Sequence, residues 1–222
     1  MLPMAMGEVI KNGVRFDMKN WSQGLPDGSD LPEAVDQIFA LLEARAVDYL
    51  LVGGIALLNY VEGRNTQDID FVLARQDINK MPEIALLEEN RDFARGQYGN
   101  LQIDFLLTQN PLFEWVRLTH GEDVMIGERT IHISDPEGLV LLKLFALPSL
   151  YRQGQFDRVS LYEGDLTQLL MAYAIHTEPL LETLGRFVLP SDLEEIRQIV
   201  LEVEARIRRF KATRERLAPE NE

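Results

Sequence analysis

The sequence predicts an α/β fold with a helical C-terminal portion, and three observations carry that reading. Short apolar runs of strand length, "DYLLV", "DIDFVLA" and "LQIDFLL", recur between residues 48 and 107. Apolar residues around them fall at helical spacing. Beyond residue 134 every patterned stretch reads as helix. The chain of 222 residues is long enough to bury a real core, and it divides into an arm over 1–30, a core over 31–134 and a helical portion over 135–222.

The elements follow in order. Residues 1–30 are polar and rich in Gly, Pro and Asp, with "EVIKNGVRFDM" as the one hairpin-like stretch. "DLPEAVDQIFALLEAR" then predicts an amphipathic helix, with Asp30 as N-cap, Pro32 in the first turn and Val35, Ile38, Phe39 and Leu42 on one stripe. "DYLLV" is a buried strand, "IALLNYVEG" a helix, "DIDFVLA" a strand and "LQIDFLL" another, with "RDFARGQYG" a strand between these two. "DVMIGERTIHI" predicts a hairpin turning near Gly127. "SDPEGLVLLKLFAL" opens a helix with Ser134 as cap and Pro136 in its first turn. From Leu189 a long helix has an acidic start and a basic end, both complementing the helix dipole.

Composition excludes several chemistries. With no cysteine there are no disulfides, zinc-thiolate sites or thiol nucleophiles, and three histidines, His120, His132 and His176, make no metal cluster. A metal here must be held by carboxylates. A formal net charge of −14 argues against a protein that coats nucleic acid indiscriminately. No window is apolar and long enough to span a bilayer, and Pro3 and Gly7 break the apolar start that a signal peptide needs, so the expected location is the cytoplasm.

Strand alternation puts Asp68 and Asp70 on one face of "DIDFVLA", with Ile69 and Phe71 on the other. If "LQIDFLL" lies beside it, Asp104 joins them. Such a cluster repels itself unless a cation compensates it, and an all-oxygen set suits Mg²⁺ or Mn²⁺ with positions left for substrate phosphates. An isolated D-x-D would read as solvated strand-edge aspartates, but these flanks are those of a central strand. Gly53 and Gly54 stand where a buried strand meets a helix start, a place where free amides receive anions and the lack of a side chain lets a phosphate come close. No G-x-G-x-x-G and no Walker motif follows.

The combination of strand, Gly-Gly, helix and D-x-D strand, followed by a strand with one more aspartate, resembles the nucleotidyltransferase superfamily of polymerase-beta-like fold. More narrowly, "GGIALLNYVEGRNTQDID" is similar to the signature of the AbiEii/MenT-type toxin branch, "DPEGLVLLKLFAL" to the helix carrying that branch's active-site lysine, and "GDLTQLL" to the segment of its following aspartate. The resemblance covers roughly Val52 to Leu170. It implies a mixed sheet flanked by helices, a nucleotidyltransferase unit in the 31–134 core, and transfer of a nucleotide from an NTP with Mg²⁺ or Mn²⁺. By residue, it implies that Gly53 and Gly54 hold the triphosphate with Arg64 and Thr66 near it, that Asp68, Asp70 and Asp104 bind metal, and that Lys143 and Asp165 complete the catalytic set. Leu161 and Tyr162 stand where the branch has a lysine-aspartate pair, and Gln67 where lysine is common, so positive charge near the phosphates is reduced.

The resemblance implies a toxin-like enzyme with tRNA as acceptor and an antitoxin as restraining partner, while small-molecule and protein acceptors are served by the same fold. From a different class, the rival reading is a catalytically silent module of this fold that acts in a protein complex. Arg206, Arg208, Arg209, Lys211, Arg214 and Arg216 form the densest basic run, which reads as a solvated helix face or as an RNA contact. His120, His132, Trp21 and Trp115 read as structural.

Overall fold

The computed structural model describes residues 30–62, 66, 68–126 and 129–217. The arm and its expected hairpin lie outside them, apart from Asp30. The chain runs α1 (Asp30–Ala44), β1 (Tyr49–Val52), α2 (Gly53–Leu57), β2 (Asp68–Leu73), α3 (Arg75–Ile78), β3 (Ala85–Glu89), β4 (Phe93–Tyr98), β5 (Leu101–Leu107), α4 (Pro111–Thr119), β6 (Gly121–Ile126) and β7 (Arg129–Ser134). It continues through α5 (Pro136–Arg152), α6 (Phe156–Ala172), α7 (Thr177–Leu184) and α8 (Pro190–Leu217). Two compact units divide it, Met1–Leu139 and Val140–Glu222, with the boundary in the first turns of α5.

The first unit holds a seven-stranded sheet in the order β3-β4-β5-β2-β1-β7-β6. The sheet is mixed: β2 with β5 and β1 with β7 run parallel, and the other neighbours antiparallel. The apolar runs that predict central strands occupy the middle of the sheet, as β1, β2 and β5. Their register is the fact on which the site rests. Val52 lies opposite Asp70, Asp70 opposite Asp104, and Asp104 opposite Arg95, so one row of side chains crosses four strands on one face.

The opposite face carries the core. Ile69 and Phe71 are fully buried, and the Phe71 ring meets Phe39 of α1 at 5.9 Å and Tyr49 at 5.4 Å, both edge-on. The stripe Val35, Ile38, Phe39 and Leu42 is buried as its spacing predicts. Asp30 is the first residue of α1, and its side chain lies outside the described residues.

In the second unit, α8 packs against α6 and α7. Its inward stripe is Ile196, Val200, Val203 and Ile207, all buried, at the three-to-four residue spacing of one helix face. Arg206 pairs with Glu163 of α6 at 2.8 Å, and Arg197 with Glu178 of α7 at 3.0 Å.

Two local expectations are corrected, for "IALLNYVEG" and for the cap of α5, and two elements, β3 and α4, form where the sequence suggested none. The run "IALLNYVEG" does not form a long helix: α2 ends at Leu57, and Asn59, Tyr60 and Val61 turn back onto Ala56 and Leu57. β3 is a strand despite its helix-favouring sequence "ALLEE"; it is an exposed edge whose formation depends on pairing with β4 rather than on burial. Helix α4 has no long periodic pattern, and is set by Asn110, whose side chain accepts from Leu112 N at 3.0 Å, and by Pro111. Asp135, not Ser134, caps α5: Asp135 Oδ1 accepts from Gly138 N at 2.7 Å, while Ser134 is still the last residue of β7. The expected turn near Gly127 lies outside the described residues, but the two strands flanking it pair antiparallel with Ile126 opposite Arg129.

Phe71→Ala is expected to cost about 3–5 kcal/mol, since it empties a fully packed position between α1 and the sheet. Urea denaturation measures this, and a loss below about 1 kcal/mol would show that the site relaxes around the cavity.

Candidate functional site

Asp68, Asp70 and Asp104 come together. Each offers a carboxylate oxygen, and these atoms all lie within 4.8 Å of one another. Alternation along β2 and the parallel pairing of β2 with β5 suffice to do this, because Asp70 and Asp104 occupy adjacent positions in the same row. Asp104 is the most enclosed of the three, 3% exposed.

Three neighbours set the carboxylates. Thr66 is buried and its hydroxyl donates to Asp68 Oδ1 at 2.8 Å, so it orients that carboxylate. Gly53 has φ of +68°, and a Cβ built there would collide with the Asp70 carboxylate, so the position requires glycine for both its conformation and its space. Arg95 grips Asp104 with two parallel bonds, Nε to Oδ1 at 2.7 Å and Nη2 to Oδ2 at 2.8 Å. This hydrogen bonding holds the Arg95 guanidinium above its already high ordinary value. Burial opposes the rise, and the charges of Asp104, Glu88 and Asp68 reinforce it.

The donor set fits a hard divalent cation. It consists of carboxylate oxygens from three residues, close enough to share one ion, and the chain has no cysteine to offer a thiolate.

No family profile and no curated protein sequence matches the chain. Solved structures do. An antigenic nucleotidyltransferase-like protein from Paracoccidioides brasiliensis superposes with a TM-score of 0.50 at 14% identity, over 90% of each chain. The fold is that of the nucleotidyltransferases. Two further matches are the antibiotic-resistance factor ANT(2'')-Ia, with a TM-score of 0.47 at 14% identity over 84% of this chain and 99% of that one, and the lincosamide antibiotic adenylyltransferase LnuA, at 0.39 and 15% over 49% and 83%.

Within this nucleotidyltransferase fold the remaining expected residues are placed as follows. Gly53 and Gly54 stand at the junction of β1 and α2, as the sequence predicts, but α2 has only five residues and so contributes a short dipole. Arg64 and Gln67 lie outside the described residues. Lys143 and Asp165 both belong to the second unit, where they form a salt bridge of 2.7 Å between α5 and α6, with Lys143 also 4.5 Å from the centre of the Tyr162 ring. They are 4% and 2% exposed, so the pair is a buried one. Tyr162 therefore faces the lysine directly.

The residue that sequence reading missed is Arg95. Its strand was expected, but nothing in "RDFARGQYG" says which partner position faces the arginine; only the antiparallel register of β4 on β5 does.

Two outcomes follow from this geometry. Gly53→Ala is expected to lose about 1–3 kcal/mol of stability, because a left-handed backbone position acquires a side chain and Asp70 is displaced; chemical denaturation measures it, and a neutral result would show the carboxylate to be movable. Lys143→Ala is expected to lose about 3–5 kcal/mol by stranding the Asp165 charge, whereas Lys143→Met combined with Asp165→Leu should fold nearly as well as the original. Thermal melts of the single and double variants check this, and an undisturbed single variant would contradict the buried pairing.

Proposed function

We propose that the protein is a divalent-metal-dependent nucleotidyltransferase that moves a nucleotide from an NTP to a hydroxyl of an acceptor. The observation that carries this reading is the convergence of Asp68, Asp70 and Asp104 on one face of a nucleotidyltransferase-fold sheet, with Gly53 making room for the Asp70 carboxylate.

Asp68 and Asp70 would hold the ion, with Asp104 the third carboxylate. The ion, Mg²⁺ or Mn²⁺, would neutralise charge on the triphosphate and polarise the α-phosphorus. Gly53 and Gly54 receive the triphosphate, Thr66 fixes Asp68 for it, Arg64 is assigned to the phosphates, and Lys143 and Asp165 complete the catalytic set, the lysine offsetting phosphate charge. Asp104 takes the proton of the acceptor hydroxyl. The acceptor oxygen then bonds to the α-phosphorus, the bond from that phosphorus to the bridging oxygen breaks, and pyrophosphate leaves.

The signature "GGIALLNYVEGRNTQDID" supports a place near the AbiEii/MenT-type toxin branch, and with it tRNA as acceptor and an antitoxin as partner. A small hydroxylated acceptor is the second reading, since one fold serves acceptors of several classes. The cytoplasm is the proposed location; among the described residues no helix is long and apolar enough to cross a membrane.

Incubation with each NTP labelled at the α-phosphate, Mg²⁺, and separately total RNA, a protein pool or small polyhydroxylated compounds is expected to move label to one acceptor class. Label from the γ-phosphate should stay in pyrophosphate. Saturating NTP and Mg²⁺ is expected to stabilise the fold by about 3 kcal/mol at a hundredfold excess over Kd, read as a higher Tm. Asp70→Asn should abolish transfer while the apo protein melts no earlier, since one repelling charge is gone. Transfer that survives Asp70→Asn would place the activity elsewhere, and no ligand-induced Tm shift would favour a silent module.

A further inference from the structure

The Arg95 guanidinium occupies both oxygens of Asp104, and Gln102 Nε2 lies 3.4 Å from Oδ1 as well. A carboxylate offers about four lone-pair positions. Two are taken by Arg95, and Oδ1 is flanked by a second donor, so Oδ2 is the oxygen with room for another partner. A cation cannot be chelated by both oxygens of Asp104 while this grip holds. Asp68 differs in this respect: Thr66 binds it through one oxygen.

We infer that Arg95 is a positioning residue that withholds Asp104 from two-oxygen metal chelation and reserves its Oδ2 for the acceptor hydroxyl. The inference rests on the proposed nucleotidyl transfer and names what divides the labour among the three carboxylates. Three features of the fold converge on it. The pairing of β4 with β5 places Arg95 directly opposite Asp104. The planar fork matches a carboxylate in a way that lysine cannot. Arg95 is also held electrostatically by Asp68 and Glu88, which keeps the guanidinium on the cluster.

Arg95→Lys separates grip from charge, because lysine keeps the charge but bonds as a single point. Mn²⁺ affinity is measured without nucleotide, by electron paramagnetic resonance, on the wild type, Arg95→Lys, Asp104→Asn and the double variant, with melts as a folding check. Arg95→Lys is expected to bind Mn²⁺ about threefold tighter or more, because Asp104 becomes free to chelate, and this change should vanish in the Asp104→Asn background. In the transfer assay the same variant should lose about tenfold or more in kcat, with the KM for NTP nearly unchanged, since it misplaces the proton acceptor and not the nucleotide. Arg95→Gln, which also offers one donor group, serves as a second variant with the same expected directions. Mn²⁺ affinity equal to wild type in the folded lysine and glutamine variants, or an equal gain in the Asp104→Asn background, overturns the inference while leaving the proposed function standing. Wild-type protein that binds no Mn²⁺ overturns both.

Discussion

Repulsion among Asp68, Asp70 and Asp104 is the constraint on which the rest of the site depends. Carboxylate oxygens within 4.8 Å of one another cost on the order of 3 kcal/mol per ionised pair at an effective dielectric near 20. A fold does not carry that cost idly in its central strands. Arg95 offsets part of it by a charge-assisted double bond to the most buried of the three, and Thr66 holds another by its hydroxyl. What remains is a negative locus at the end of β1, next to a residue without a side chain. A divalent ion would offset the remaining charge, and a phosphate alone would not.

The sheet makes this possible by dividing its two faces. On one, Phe71 packs edge to face with Phe39 and Tyr49 beside Ile69, and the apolar area removed from water anchors β2. On the other, the same strand presents Asp68 and Asp70. Because side chains alternate with a period of two, moving β2 by one residue would bury both aspartates and expose Ile69 and Phe71. The hydrophobic face therefore fixes the register that the acidic face uses.

Much of this was legible in the sequence, and the parts that were not share a cause. β1, β2, β5 and α1 could be read because their burial leaves a period in the residues, and the D-x-D face followed from geometry alone. Asp104 needed one further assumption, that β5 lies beside β2, which the parallel pairing satisfies. β3 and α4 escaped because one is an exposed edge and the other is short and set by a cap. Arg95 escaped for a different reason: its strand could be read, but its meaning lies in a long-range register that local pattern does not encode. The burial of Lys143 against Asp165 and Tyr162 likewise depends on two helices meeting, so the sequence supplied the residue types but not that the lysine's charge is already matched within its own unit.

Charge bears on the acceptor in the same physical terms. The chain carries a net −14, so a polyanionic acceptor is repelled at long range and must be met by a local basic surface that releases counterions. The last turns of α8 are such a surface: Arg209, Lys211, Arg214 and Arg216 are exposed, while Arg206 is paired with Glu163. A small acceptor needs no such patch, since the overall field draws in a cationic one and does not repel a neutral one. The two acceptor classes therefore make opposite demands on ionic strength. Transfer to RNA weakens at high salt, because it depends on a few exposed cations; transfer to a neutral small molecule is nearly indifferent to salt. Added salt also screens the long-range repulsion of RNA by the acidic body, so a salt optimum, rather than a steady decline, is the signature of an acidic enzyme that engages RNA through one basic helix end.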